Sequence, residues 1–293
     1  MFKVFTPATT ANIGSGFDIL GLALQIYNEF EVESSNKYEF INFEKKYCHP
    51  NSNLIISTYR YVCKQLNELE VPFKLTINQN IPNSRGLGSS SSCIVAGILI
   101  AEKIFNTYIS DSDKLQYATT LEGHPDNVAP CLFGGLVGSY LFDEHIFKSH
   151  YPINEKLNIY LAIPNFKLST KLARSVLPEN ITFHNSVANS SNILVLLKGL
   201  ETGDEILIEK GIQDYLHTAY RSSLIKDYED VKRIINSNTT ISGAGPSLLT
   251  ITSHSLNIEE IQNKLDKLDT NWLFKKIDID TKGAYIYEWL LYY

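Results

Sequence analysis

Hydrophobic positions recur along this chain in two rhythms. Phe2 to Pro7 alternates between apolar and polar residues, as do 26–33, 38–43 and 73–81, and a period of two reads as strand. Leu54, Ile55, Tyr59, Val62, Leu66 and Leu69 recur at helical spacing, which predicts a helix over 53–69 that Ser52 can cap and Pro72 ends. The run 93–105 is apolar but for Glu102 and Lys103 near its end and reads as a buried helix. Asp111 can cap a second helix over 114–121, and 136–142 is an apolar strand. From about 143 the texture changes, and the polar, Pro-containing stretch 143–156 is a candidate boundary. Beyond it the pattern predicts a strand at 157–163, a helix at 171–177 capped by Ser169-Thr170, and helical segments at 186–200, 205–217 and 227–236. Strands follow at 239–242 and 248–252, then a helix at 258–268 and strands at 272–278 and 284–290. Strands and helices interleave irregularly in both halves, which predicts an α+β fold with mixed sheets rather than a doubly wound parallel sheet.

Between these periodic segments lie turns that punctuation alone does not explain. Strand 73–81 runs into Pro82-Asn83-Ser84-Arg85-Gly86-Leu87-Gly88-Ser89-Ser90-Ser91-Ser92, and the buried helix follows. Strand, small-residue loop and helix start is an arrangement that binds phosphate: the glycines let the backbone approach a ligand, and the free N–H groups and dipole of the helix favour an anion. No lysine follows the glycines, so this is not a Walker loop, and Ser91 stands where a dinucleotide fingerprint has its third glycine. The competing reading of the loop alone is a turn that caps an ordinary helix. The segment 8–18, Ala-Thr-Thr-Ala-Asn-Ile-Gly-Ser-Gly-Phe-Asp, reads as a loop between apolar flanks, either functional or a plain hairpin connection. Glu122-Gly-His124-Pro-Asp126-Asn127-Val-Ala-Pro130 crowds ionisable and amide groups into what reads as a turn before Gly134-Gly135, more of them than capping needs. A last glycine turn is Ser242-Gly243-Ala-Gly245-Pro-Ser247.

Composition narrows the partners. At 293 residues the chain can hold one large or two ordinary domains, and 26 Lys+Arg against 32 Asp+Glu gives a net charge of −6, which argues against nucleic acid or an anionic membrane as the main partner. Cys48, Cys63, Cys93 and Cys131 form no Cys-x-x-Cys pair and no zinc spacing, and read as free thiols in a reducing compartment. The N-terminus lacks a signal-peptide pattern and no apolar run approaches the length of a membrane span, so the expected location is cytoplasmic.

The order and wording of the turns resemble the GHMP kinase superfamily, the group of galactokinase, homoserine kinase, mevalonate kinase and phosphomevalonate kinase. Pro82-x-x-x-Gly86-Leu-Gly88-Ser-Ser90 is similar to its phosphate loop and 242–247 to its C-terminal glycine motif. Within it the resemblance narrows to homoserine kinases through Pro7 to Leu24, through 122–130, through Leu168-Ser-Thr170-Lys-x-Ala-Arg174-x-x-Leu-Pro178, and through Asp214-x-x-His217-x-x-Tyr220-Arg221. The resemblance implies a two-domain fold: residues 1–155 as an ATP-binding domain with a left-handed βαβ unit like a ribosomal S5 domain, and 156–293 as a ferredoxin-like domain. It also implies ATP-dependent phosphorylation of the L-homoserine hydroxyl in threonine biosynthesis, and a homodimer. A kinase for another small alcohol, and a catalytically silent binder, are the competing readings.

The same resemblance distributes roles. Residues 82–92, Gly243 and Gly245 are assigned to ATP, with Asn53 and Leu54 at the adenine. Ser90 and Glu122 are assigned to Mg²⁺, Glu122 being the only carboxylate between Asp113 and His124. Asn12 and Asp18 are assigned to the substrate ammonium, and Arg174 and Arg221 to its carboxylate, a pairing that suits the planar donors of arginine. His124 either lines this pocket or stabilises its turn, and Thr170 either bonds nearby or caps its helix. The place where mevalonate kinase-like members carry an activating aspartate falls on Asn127, which cannot take a proton at neutral pH. The expected catalysis is therefore positioning and electrostatics, with Asp126 as a minority candidate for a base.

Overall fold

In the computed structural model, which describes residues 1–288, the chain opens with two long antiparallel strands, β1 (Phe2–Asn12) and β2 (Gly16–Ser34). The 8–18 segment, expected as a loop, is therefore mostly strand. Its Ala and Thr residues are buried, and only residues 13–15 turn. The short strand β3 (Glu39–Ile41) precedes helix α1 (Leu54–Leu66), and β4 (Phe73–Asn78) returns parallel to β3, making a βαβ unit. Asn53, not Ser52, caps α1: its side chain accepts from the N–H groups of Ile55 and Ile56. The helix ends well before Pro72, at Asn67, which takes a left-handed conformation.

Helix α2 (Ser89–Ile104) starts four residues earlier than the apolar run suggested, because the four serines form its first turn. Helix α3 (Asp111–Glu122) is capped by Ser110 rather than Asp111. The 122–130 cluster, expected as a turn, is mostly a helix, α4 (Pro125–Phe133), with Pro125 at its first position. Pro suits that position, since its missing N–H has no partner there anyway. Strand β5 (Leu136–Phe142) pairs with β2 and with β6 (His145–Tyr151), which occupies the stretch read as a boundary. Helices α1 to α4 cover one face of this seven-stranded sheet around Phe30, Ile56, Tyr59, Leu75, Ile98 and Val128.

Strand β7 (Asn158–Pro164) begins a second sheet. Helices α5 (Thr170–Ser175), α6 (Phe183–Thr202), α7 (Glu205–Gly211), α8 (Thr218–Arg221) and α9 (Tyr228–Ile235) follow, then β8 (Thr239–Ile241), β9 (Leu248–Thr252), α10 (Ile258–Leu265) and β10 (Trp272–Ile277). The order β10-β7-β9-β8, antiparallel throughout, is that of a ferredoxin-like sheet. A shared apolar cluster joins the sheets: Leu20, Leu22 and Leu24 from the first, Leu161, Leu249 and Ile251 from the second, Leu196 and Leu200 from α6. Strand β11 (Tyr285–Glu288) leaves the second sheet and pairs antiparallel with β1. Residues 289 and 290 of the strand expected there lie outside the described residues. No helix among the described residues is long and apolar enough to cross a membrane.

Candidate functional site

The 82–92 loop, the candidate phosphate loop, departs from β4 and turns sharply because φ is positive at every second residue: Ser84, Gly86 and Gly88. Such alternation turns successive N–H groups to one side and makes an anion-binding concavity. Gly88 is also the N-cap of α2 and offers no side chain to its N–H groups, so the helix end faces the loop uncapped. Three contacts fix the loop from outside. Ser242 donates its hydroxyl to the Gly86 carbonyl at 2.7 Å, Leu168 N–H donates to the Ser84 carbonyl at 3.1 Å, and Ser247 N–H donates to the Arg85 carbonyl at 3.3 Å. Arg85 donates to the carbonyls of Asn83, Pro164 and Asn165, so its guanidinium ties the loop to the end of β7. The loop is thus clamped between the two sheets.

One cleft of about 290 Å³ runs along this loop. Its lining includes Phe43, Tyr47, Asn53, Leu54 and Ile77, the loop residues Asn83 to Ser90 with Glu122, and a polar set of Asn12, Asp18, His124, Asp126, Asn127, Thr170, Arg174, Arg221 and Gly243. The structure brings together nearly all of the residues singled out from sequence. Pro82, Ser91, Ser92 and Gly245 do not line the cleft. The Ser92 hydroxyl is instead 2.7 Å from that of Thr6 and accepts from Asn28 Nδ2 at 3.0 Å. Gly245 packs against Ile225, Ile241 and Leu168. Thr170 is the first residue of α5, which Ser169 caps.

Glu122 at the end of α3 accepts from the hydroxyls of Ser90 (2.8 Å) and Ser91 (3.0 Å). Burial raises its carboxyl pKa, although those two hydroxyls pull the other way. One carboxylate and one hydroxyl make a hard-oxygen pair that suits Mg²⁺, a cation that takes its remaining ligands from phosphates and water. Among the described residues no group of three acidic, His or Cys side chains forms a protein-only metal cage.

At the charged side, Arg174 grips Asp18 with both guanidinium nitrogens, at 2.7 and 3.0 Å, across the two halves of the chain. Asn12 links two turns: its amide donates to the Gly243 carbonyl at 2.7 Å and accepts from the Asp18 N–H at 2.9 Å. Arg221 is buried, 1% exposed, and donates to the carbonyls of Ala173 and Gly243. Burial, helped by the neighbouring Arg174 charge, lowers its pKa to about 10, which leaves it cationic at neutral pH. Its guanidinium lies 5.1 Å from the Phe17 ring, which also has the Arg174 guanidinium at 5.9 Å and the buried His217 ring at 5.2 Å. His124 bonds through Nδ1 to the buried Asp126. Burial opposes charge on the imidazole, but the Asp126 carboxylate outweighs it, and the pKa of His124 is raised. Asn127 donates to the same carboxylate at 3.3 Å and accepts from the Thr9 hydroxyl at 2.8 Å.

Sequence reasoning passed over Thr9, Phe17 and Asn28. Asn28 accepts from the N–H groups of Asn80 and Ile81 while holding Ser92, so it staples the two ends of the phosphate loop. A lone Asn inside an alternating strand was the available signal, since a buried amide needs partners.

Residues 53–135 match the family model described as GHMP kinases N terminal domain. A homoserine kinase of Clostridium botulinum (strain Eklund 17B / Type B) is 35% identical over 294 residues, covering 98% of each chain. The chain belongs to the homoserine kinase family. A homoserine kinase of Streptococcus agalactiae is 38% identical over 96% of this chain and 98% of that one. Among solved structures, homoserine kinase from Cytophaga hutchinsonii superposes with a TM-score of 0.86 at 25% identity, covering 97% of this chain and 96% of its own. A mevalonate kinase at 15% identity and TM-score 0.67 shares the fold. The two-domain α+β fold expected from the resemblance is the fold of these relatives.

Proposed function

We propose that this chain transfers the γ-phosphoryl group of ATP to the hydroxyl of L-homoserine, giving O-phospho-L-homoserine and ADP in threonine biosynthesis. The observation that carries this is the juxtaposition, in one cleft, of an uncapped phosphate loop with an acid–arginine set suited to an α-amino acid. The loop N–H groups would hold the ATP phosphates, with the base against Phe43, Tyr47 and the Asn53-Leu54 pair. Ser90 and Glu122 would hold Mg²⁺, which when bound neutralises phosphate charge.

The Asp18–Arg174 pair is about a third exposed, at 33% and 37%, and pairs in that setting contribute on the order of 1 kcal/mol or less. A ligand carrying both an ammonium and a carboxylate can replace each partner by its own opposite charge: ammonium to Asp18 and Asn12, carboxylate to Arg174 and Arg221. The hydroxyl oxygen then bonds to the γ-phosphorus as the bond to the β–γ bridging oxygen breaks. The hydroxyl proton passes to an oxygen of the transferred phosphoryl group. Asp126 is taken up by His124 and Asn127, which supports catalysis without a protein base. The working unit is proposed to be a cytoplasmic homodimer, of two domains meeting near 155–156, and sedimentation velocity tests the dimer.

A coupled ADP-release assay across homoserine, threonine, serine, mevalonate and galactose tests the reading. Turnover confined to homoserine is expected. Turnover with mevalonate or galactose instead, or with none of the five, refutes it.

A further inference from the structure

We infer that Thr9 is a positioning residue that fixes the side-chain amide of Asn127 so that it presents a hydrogen-bond donor to the transferring phosphoryl group. This rests on the kinase reading above and extends it to a residue that does not itself line the cleft.

Asn127 lines the cleft next to the start of α2, one residue beyond Asp126 in the first turn of α4. Its amide has two ends of opposite character, and the surroundings choose between its two orientations. Asp126 Oδ1 lies 3.3 Å from Asn127 Nδ2 and is already bonded to His124 Nδ1. A carboxylate accepts only, so it selects the NH₂ end. On the other side the buried Thr9 hydroxyl donates to Asn127 Oδ1 at 2.8 Å. Turning the amide over would set its oxygen against the Asp126 carboxylate and leave the buried Thr9 hydroxyl proton without an acceptor. Both halves of that exchange are costly in a buried setting. The result is a continuous chain, His124–Asp126–Asn127–Thr9, in which the amide oxygen accepts from Thr9, one N–H is held by Asp126 and the second N–H is left to donate.

Thr9 is itself held in place. Its N–H donates to the Leu87 carbonyl in the phosphate loop at 3.2 Å, and a Cβ built on Gly88 would lie 2.0 Å from its hydroxyl oxygen. Strand β1, the loop and the amide are therefore set relative to one another through one residue, by its backbone N–H to the loop and its hydroxyl to the amide. An N–H at this place suits an oxygen of the phosphoryl group, where negative charge is carried through the transition state. It also explains how an amide can stand where a base is expected and still contribute to rate.

The test is a double-mutant cycle in the homoserine assay. Thr9→Val keeps the shape and removes the donor, and kcat is expected to fall about tenfold with the KM of either substrate changed by less than about threefold. Thr9→Ser restores kcat. In an Asn127→Ala background Thr9→Val costs nothing further, since both changes remove one device. A wild-type kcat in Thr9→Val, a failure of Thr9→Ser to restore it in folded protein, or full additivity with Asn127→Ala overturns the inference while leaving the kinase reading intact. A wild-type chain inactive on homoserine overturns both.

Discussion

Replacing Gly86 by alanine perturbs the phosphate loop at the point where it is pressed against the 242–247 turn. Gly86 has φ +69°, and a Cβ added there would lie 2.1 Å from the Ser242 carbonyl oxygen and 2.9 Å from that of Gly245. Two costs follow. The left-handed backbone costs a residue with a Cβ about 1–2 kcal/mol. The overlap is with backbone atoms on a turn that Arg221 and Asn12 already grip through Gly243, so no side-chain rotation relieves it. Loop and turn must separate by about 1 Å or more to reach ordinary contact. A displacement of that size at a phosphate-positioning loop costs roughly 100-fold in rate.

The expected outcome for Gly86→Ala is therefore a fall of about 100-fold in kcat/KM for ATP in the coupled ADP-release assay, with a smaller change in homoserine KM. Gly203→Ala is the control. Gly203 has φ +72° at the end of α6, and the neighbours of its added Cβ are side-chain atoms of Asn154 at 3.1 Å and beyond. It carries the same backbone cost, which a melting curve reads as a loss of a few degrees, about 2–4 °C per kcal/mol in a chain of this class, and its kinetics stay at wild type. A Gly86→Ala enzyme with wild-type kcat/KM, or a Gly203→Ala enzyme equally impaired, refutes the reasoning that the loop's position against this turn sets the rate.

Three further outcomes are expected. 3-Amino-1-propanol and 4-hydroxybutyrate each lack one charge of homoserine and leave one partner of the Asp18–Arg174 pair unanswered, so each loses roughly 100-fold or more in kcat/KM; competitive steady-state assays decide it, and near-equal use of either analogue counts against the exchange of charges. Chelation of divalent cations abolishes turnover, and Ser90→Ala raises the Mg²⁺ concentration for half-maximal rate by about tenfold, the equivalent of about 1.4 kcal/mol; an unchanged Mg²⁺ titration removes Ser90 as a ligand. Glu205 gives a pH dependence of stability: burial works to raise its pKa, but the N–H of Ser253 and the hydroxyls of Thr252 and Ser253 outweigh that and hold it below the ordinary carboxylate value. A depressed carboxyl pKa contributes stability above its unfolded value and loses it as pH falls through the folded one. Glu205→Gln therefore destabilises by about 1–3 kcal/mol at neutral pH, and denaturant melts of the two proteins converge as the solution is acidified below the carboxylate range.

The features that sequence exposes are the local ones. Gly86 and Gly88 dictate the backbone of their own loop, and the residues on either side dictate strand and helix, so the strand–loop–helix arrangement proposed to hold phosphate is legible without the fold. Where local reading fails, a competing local signal explains it. Pro125 and Asp126 are good turn chemistry and equally good chemistry for the first turn of a helix, and only packing against β1 and β2 makes 125–133 helical. The Thr and Ala residues of 8–12 read as loop because they are small and partly polar, yet they are buried strand, where β-branched Thr is favoured. Strand β6 carries charge and lies at a sheet edge, bonded among the described residues only to β5, so no apolar alternation marks it.

What lies beyond local reading is pairing. Asp18 and Arg174 are 156 residues apart in sequence, and Asn12 and Gly243 are 231 apart. Each was assignable to a ligand from its own motif, but that the two charges answer each other across the cleft, and that Asn12 also ties two turns together, follows only from the meeting of the two sheets. Thr9 marks the limit more sharply. On a strand it reads as a β-former, and nothing near it in sequence asks for a donor. Its role depends on an amide 118 residues away, whose orientation is set by a carboxylate that is itself set by a histidine. A buried hydroxyl acquires meaning from what it must satisfy, and that is a property of the fold.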